Sequence, residues 1–264
     1  MSAVASKKLI GMKALVTGAG RGIGQSIAIA LARGGADVAV ADLTLESVQE
    51  TAAAIRHEGR EALELNVDVA DFDSVQRMFG LLTKNFGHLD IAVNNAGVLG
   101  LYKVSDMPVD EWDRVMNVNS RGVFYCCKAE LELMQPRRFG RIINTASIAG
   151  KVGLPDMAHY SASKFAVIGF TNSLAKEVAR DGITVNALCP GIVGTGMWRG
   201  LDGVARRWAK PGESEDQAWD RLQEGLLPQG EAQTPEDMAE LVLYLVTAAH
   251  VTGQAIAVDG GFSL

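Results

Sequence analysis

Cysteine is scarce: the chain holds three in 264 residues. Cys126 and Cys127 stand side by side in a helical pattern, and Cys189 closes a strand-like run before Pro190. An odd count without framework spacing excludes a disulfide scaffold, and none has metal-ligand spacing, so no metal is expected. The thiols read instead as small buried hydrophobes in a reducing compartment. Excess positive charge is lacking too. A formal net charge of -6 repels nucleic acid and anionic lipid at long range, and no local basic patch offsets it, which removes both partner classes. No apolar run approaches the roughly 18 residues of a membrane span. Met1 to Lys8 lacks the apolar centre of a secretory leader, so the expected location is cytoplasmic. Linkers, low-complexity tracts and fixed-period repeats are also missing, and residues 1-264 are expected to form one domain.

Apolar residues, at 48% against 21% charged, are plentiful enough for a large core. From Lys13 onward, short runs rich in Val and Ile alternate with longer helical patterns, the signature of βαβ units on a parallel sheet. Ala14 to Thr17, Asp37 to Ala41, Ala62 to Val67, Leu89 to Asn94, Arg141 to Thr145, Thr184 to Leu188 and Ala255 to Val258 read as strands. The expected fold is α/β: a doubly wound parallel (Rossmann) sheet of about seven strands. In the first helix Ile23, Ile27, Ala30 and Leu31 share a face that should pack on the sheet, and Gly34-Gly35 can end it in a left-handed turn. The rhythm breaks between Gly194 and Gln233, where Trp198, Trp208 and Trp219 accompany Pro211 and Pro228 before Thr234-Pro235-Glu236 opens the last helix. Such an insertion is either a substrate lid or a helical decoration on its own small core.

Directly after the first strand come Gly18, Gly20, Arg21, Gly22, Ile23 and Gly24, leading into the helix. A turn this tight needs residues without Cβ if main chain is to approach a diphosphate while the helix's unpaired N–H groups face it. Tight-turn geometry alone would also ask for glycine, but the flanking strand and helix favour a dinucleotide site. Asp42, at the end of the second strand, stands where a carboxylate can accept from the adenosine ribose hydroxyls. It would repel a 2'-phosphate by roughly 1 to 4 kcal/mol. Arg21 argues the other way, as a partner for that phosphate or a solvated loop charge. NAD is the expected cofactor. Asp68, with Val69 beside it, either accepts from the adenine amino group or merely forms a turn.

Tyr160 and Lys164 are spaced to share one helix face. A phenol of ordinary pKa about 10 needs to come down by about 2 to 3 units to exchange protons near neutrality. An adjacent ammonium and a cationic nicotinamide can supply that. Alone, the spacing more often marks an amphipathic surface pair. Here it accompanies the glycine pattern, the run Asn94-Asn95-Ala96-Gly97, Asn119 in Asn-Ser-Arg-Gly, Ser147, and Pro190-Gly191 with Thr195. In those motifs, and in their order, the chain resembles the short-chain dehydrogenase/reductases from Lys13 to the C-terminus. The resemblance implies a catalytic tetrad of Asn119, Ser147, Tyr160 and Lys164. Ser147 would hold the substrate oxygen, Tyr160 exchange its proton, and Lys164 bind the nicotinamide ribose and favour the phenolate. Asn119 would position a water linking Lys164 to solvent. It also implies that Asn94 to Gly97, with Asn95, Ala96 and Gly97 at the cofactor, floor the adenine and ribose site and stabilise the sheet, and that Pro190, Gly191, Ile192, Val193 and Thr195 lie by the nicotinamide. His159, next to Tyr160, reads as a semi-exposed neighbour rather than a second acid/base.

Within that family, Cys189 to Val193, Met197-Trp198 and the long insertion look most like acetoin/diacetyl reductases, butanediol dehydrogenases and polyol dehydrogenases. A small diol, polyol or hydroxyketone is the implied substrate. One departure is that Ile148 stands where the acetoin reductases tend to carry an amide. With Ile148, Leu154, Met197 and Trp198 as its wall, the pocket would favour a less polar ketone or leave diol recognition to Asp156. The alternatives are an NADPH-dependent 3-oxoacyl thioester reductase and, from another class, a non-catalytic nucleotide-binding protein. Family members are commonly tetramers, and the apolar ends of Val115 to Cys127 and Phe165 to Leu174 are consistent with a homotetramer here.

Overall fold

The computed structural model describes residues 8–201 and 203–264, so the N-terminal stretch from Met1, Lys8 apart, lies outside the described residues. Runs of Ala, Val, Leu and Ile that are apolar on both faces become β1 (Lys13–Thr17), β2 (Asp37–Asp42), β3 (Ala62–Asn66), β4 (Ile91–Asn94), β5 (Gly140–Thr145), β6 (Ile183–Pro190) and β7 (Ala255–Val258). They form one seven-stranded sheet in the order β3-β2-β1-β4-β5-β6-β7. Every pairing is parallel. β4 and β6 are buried along their whole length.

Helices cover both faces. α1 (Gly22–Arg33) and α2 (Leu45–His57) lie on one, α3 (Phe72–Phe86) on the other. α4 (Val109–Met116) continues through a π-helical turn, Asn117–Arg121, into α5 (Gly122–Met134), which joins α3 together with α6 (Ala158–Val178). In α1, Ile27 and Leu31 are fully buried while Ile23 and Ala30 pack at the margin, as the period predicts. The left-handed residue after it is Gly35, at φ +107°; Gly34 stays right-handed.

The insertion is structured. It contains α7 (Gly196–Arg199), α8 (Val204–Arg207) and α9 (Glu215–Leu226), the last opened by a reciprocal Ser214–Gln217 cap. Ile192, Ala205, Trp219, Leu222 and Leu227 make a small core of their own. Trp198 meets Trp208 and Trp219 edge-on at 6.3 and 6.4 Å between ring centroids. α10 (Pro235–Thr247) follows, with Pro235 at its start and a reciprocal Thr234–Asp237 cap, and packs beside α1. From β1 the chain winds outward to β2 and β3, then crosses back to β4 on the other side. That reversal leaves a crevice at the carboxyl ends of β1 and β4, the place where a doubly wound sheet can take a ligand.

Candidate active site

The crevice opens as a cleft of about 620 Å³. Its glycine loop is in the left-handed region at Gly18 (φ +62°) and Gly22 (φ +58°). A Cβ on Gly18 would come within 2.8 Å of the Ala96 Cα, and one on Gly24 would run into the Gly18 carbonyl. Asn95 seals the approach: its amide donates to the carbonyls of Thr17 and Gly18, both at 3.1 Å. Thr17 Oγ1 accepts in return from the Asn95 and Ala96 N–H groups at 3.1 and 3.2 Å. Arg21 precedes α1 without a side-chain cap, so the first N–H groups of the helix, at Gly22 and Ile23 on the cleft wall, stay unclaimed. An uncapped helix start above a cradle with no room for Cβ fits the diphosphate of a nicotinamide dinucleotide.

Asp42 also lines the cleft, with Arg21 opposite in sign on the same wall. Its two oxygens accept from the N–H groups of Gly20 at 3.0 Å and Leu43 at 2.8 Å. Gly20 itself is not part of the cleft wall; its N–H anchors that carboxylate. Asp68, Val69, Ala96, Gly97 and Thr195 continue the wall. Asp68 forms the turn read for it, one oxygen accepting from Ala70 N at 2.9 Å, and the residue also lines the cleft.

At the inner end the tetrad residues converge. Tyr160 and Lys164 are buried one turn apart on α6. The Lys164 Nζ donates to the Thr145 carbonyl at 2.8 Å and stands 5.7 Å from the Tyr160 ring centroid. Ser147, just past β5, accepts from Ala149 N at 3.1 Å. Burial pushes the Tyr160 phenol up, and a hydrogen bond with Ser147 pulls it back. Burial also brings Lys164 down, to about 8. The chain's own groups therefore leave the phenol above its ordinary value.

Asn119 sits in the π-turn, fully buried. Its Oδ1 accepts from Val98 N at 2.9 Å, and its amide donates to Val98 O at 2.9 Å and Ser163 Oγ at 3.1 Å. Both amide hydrogens are thus committed to tying the post-β4 segment to the first turn of α6. A water for Lys164 would be held by Oδ1 or by main chain of the turn. His159 differs from expectation: it is fully buried, with Nε2 at 3.4 Å from Glu111 Oε1. Residues 99–102 and α4 cover the first turn of α6, an overlay that no local pattern announces.

Beside Ser147, Tyr160 and Lys164 lies a chamber of about 100 Å³ walled by Ile148, Leu154, Met197 and Trp198. Pro190, Gly191 and Val193 bring the end of β6 to it. Ile192 does not line it; its side chain belongs to the insertion's core, while its carbonyl accepts from Gln233 N at 2.9 Å. Sequence reasoning missed Met157 and Leu99 in the chamber and Glu111, Arg114 and Arg207 along the outer cleft. It also missed Thr145, whose contribution is a main-chain oxygen and leaves no mark on residue type.

A family model described as short chain dehydrogenase matches residues 12–203. A 3-oxoacyl-[acyl-carrier-protein] reductase of a Synechocystis strain is 39% identical over 252 residues, covering 94% of this chain and 95% of its own. Among solved structures, a single-substitution variant of actinorhodin polyketide ketoreductase with NADPH superposes at a TM-score of 0.91 with 38% identity, over 100% of this chain and 99% of the other. An NAD+-bound xylitol dehydrogenase superposes at 0.89 with 32% identity, over 96% of this chain and 100% of the other.

Proposed function

The chain belongs to the short-chain dehydrogenase family, and from that premise we propose that it moves a hydride between NAD(H) and a small diol, polyol or hydroxyketone. Membership makes it an oxidoreductase of alcohols and ketones that uses a nicotinamide cofactor. The observation that carries the proposal is the convergence of Ser147, Tyr160 and Lys164 on a small chamber joined to the dinucleotide cleft through Asn95 and Gly97.

The chain's own residues divide the work. Gly18, Gly22 and the open start of α1 bind the diphosphate; Asp42 accepts from the adenosine ribose, which favours NAD over NADP. Lys164 takes the nicotinamide ribose. A nicotinamide held there would supply the hydride chemistry. Ser147 holds the substrate oxygen against the Tyr160 phenol, which donates its proton to that oxygen on reduction and recovers it from the alcohol on oxidation. The 194–233 insertion, placing Met197 and Trp198 on the chamber, acts as the lid that shuts water out.

A second reading, an NADPH-dependent 3-oxoacyl thioester reductase, is favoured by the likeness to the Synechocystis reductase and by Arg21 on the cleft wall. Initial rates with NADH and NADPH against diacetyl, acetoin, a ketose, an aryl ketone and an acetoacetyl thioester separate the two. NADH-supported turnover of the small ketones is expected, with Tyr160→Phe reduced about 10²- to 10⁴-fold while its NADH affinity is retained. Turnover of the thioester alone, with NADPH alone, would transfer the conclusion to the second reading.

A further inference from the structure

His159 is the one fully buried histidine among the described residues. Its surroundings come from three parts of the chain. From α4, Glu111 approaches Nε2 at 3.4 Å. Arg114 grips the same carboxylate with two bonds of 2.7 and 2.9 Å and reaches the Leu99 carbonyl at 3.2 Å. From the segment after β4, Tyr102 stands edge-on to the imidazole at 6.4 Å. The Tyr102 N–H donates to Asp156 O at 2.8 Å. A Cβ on Gly100 would run into Glu111 Oε1 and lie 2.8 Å from His159 Nε2. Main chain of the Leu99–Tyr102 strap therefore rests directly on the pair.

These contacts join the strap, α4 and the first turn of α6, which carries Tyr160. Leu99 belongs to the same chamber wall as Tyr160. The hydrogen bonds of Asn119 tie Val98 to this turn from below, through Ser163, whose hydroxyl donates to the Tyr160 carbonyl at 2.7 Å. His159, Glu111 and Arg114 tie it from above. Resting on the reading of Tyr160 as the acid/base, we propose that Arg114, Glu111 and His159 form a positioning relay that keeps the Tyr160 phenol in register with the substrate wall. None of the three needs to touch substrate. Arg114 holds Glu111 ionised, its guanidinium keeping the carboxyl below the usual range. Nε2 is the imidazole nitrogen that faces that carboxylate, and Nδ1 is buried without a partner.

The test compares His159→Leu, His159→Gln and Glu111→Gln with wild type and Tyr160→Phe. His159→Leu fills the space without a donor and is expected to lower kcat on the order of tenfold, with KM for the cofactor changed less than about twofold, because small displacements of a reacting group cost rate before binding. His159→Gln keeps an N–H able to reach Glu111 and should recover most of kcat. Because Glu111→Gln and His159→Leu share the Glu111–His159 contact, while the former also loosens the Arg114 grip, the double variant should lose less kcat than the product of the two single losses. Wild-type kcat in His159→Leu overturns the relay, as do equal losses of kcat, cofactor affinity and melting temperature in the Leu and Gln variants. If His159→Leu does not fold, Glu111→Gln carries the test: selective loss of kcat supports the relay and wild-type kcat overturns it. Full activity in Tyr160→Phe would instead sink the reading of the site itself.

Discussion

Both oxygens of Asp42 accept main-chain hydrogen bonds, which fix the carboxylate at the end of β2, on the cleft wall proposed to take the adenosine. Asp42→Asn keeps one acceptor for Gly20 or Leu43 and removes the charge. The ratio of kcat/KM for NADPH to that for NADH should rise about tenfold, the equivalent of roughly 1.4 kcal/mol. An unchanged ratio in steady-state kinetics would mean that Arg21, not Asp42, sets the preference. At this scale the sequence was informative where a side chain is itself the proposed actor: the roles proposed for Tyr160, Lys164 and Ser147 need a particular functional group, and that group is written in the residue. His159 was misread because burial is contributed by residues 99–102 and α4, far from it along the chain.

At the scale of elements, α5 carries an acid into the core. Glu130 is fully buried against β4, where the Asn94 amide donates to it at 3.3 Å. The same amide donates to Asn144 at 2.9 Å. Burial raises the Glu130 carboxyl from 4.5 to about 8, so the folded chain holds a proton there at neutrality. Between those two values the folded state binds more protons than the unfolded one, and stability falls as pH rises through that window. Lys164, lowered from 10.5 to about 8, acts with the opposite sign above it: the unfolded state then binds the extra proton and stability rises with pH. Glu130→Gln cancels only the first effect. Its melting temperature should match wild type near pH 5 and exceed it by at least a few degrees at pH 9, taking roughly 2 to 4 °C per kcal/mol for a chain of this size. Parallel melting profiles from pH 5 to 9 would show that Glu130 is ionised in the fold. That Cys126 and Cys127 lie in a helix was readable; that a glutamate of the same helix faces inward was not, since residue type alone puts Glu on the surface.

For the whole molecule, the faces of α5 and α6 leave two large aromatics uncovered. Phe124 and Phe165 are each 47% exposed. Phe124 packs edge-on against Phe170 at 6.3 Å. Such a patch supports the homotetramer proposal, with isologous contacts through these two helices. Sedimentation velocity should find four chains for the wild type and a smaller species for Phe124→Glu with Phe165→Glu. A tetramer that survives both changes would place the interface elsewhere.

The sequence by itself determined the α/β alternation, the seven strands within a few residues and the glycine loop, and it named the side chains proposed to react. Those follow from periods of hydrophobicity and from chemistry that only certain residues possess, both of which are local. The tertiary structure decided which groups stand behind them. The Thr145 carbonyl under Lys164, Asn119 clasping Val98, Ile192 turned into the insertion's core, and the Glu111–His159 contact each join segments remote in the chain. Their partners are mostly main-chain atoms, which every residue carries alike, or side chains whose burial depends on what folds over them.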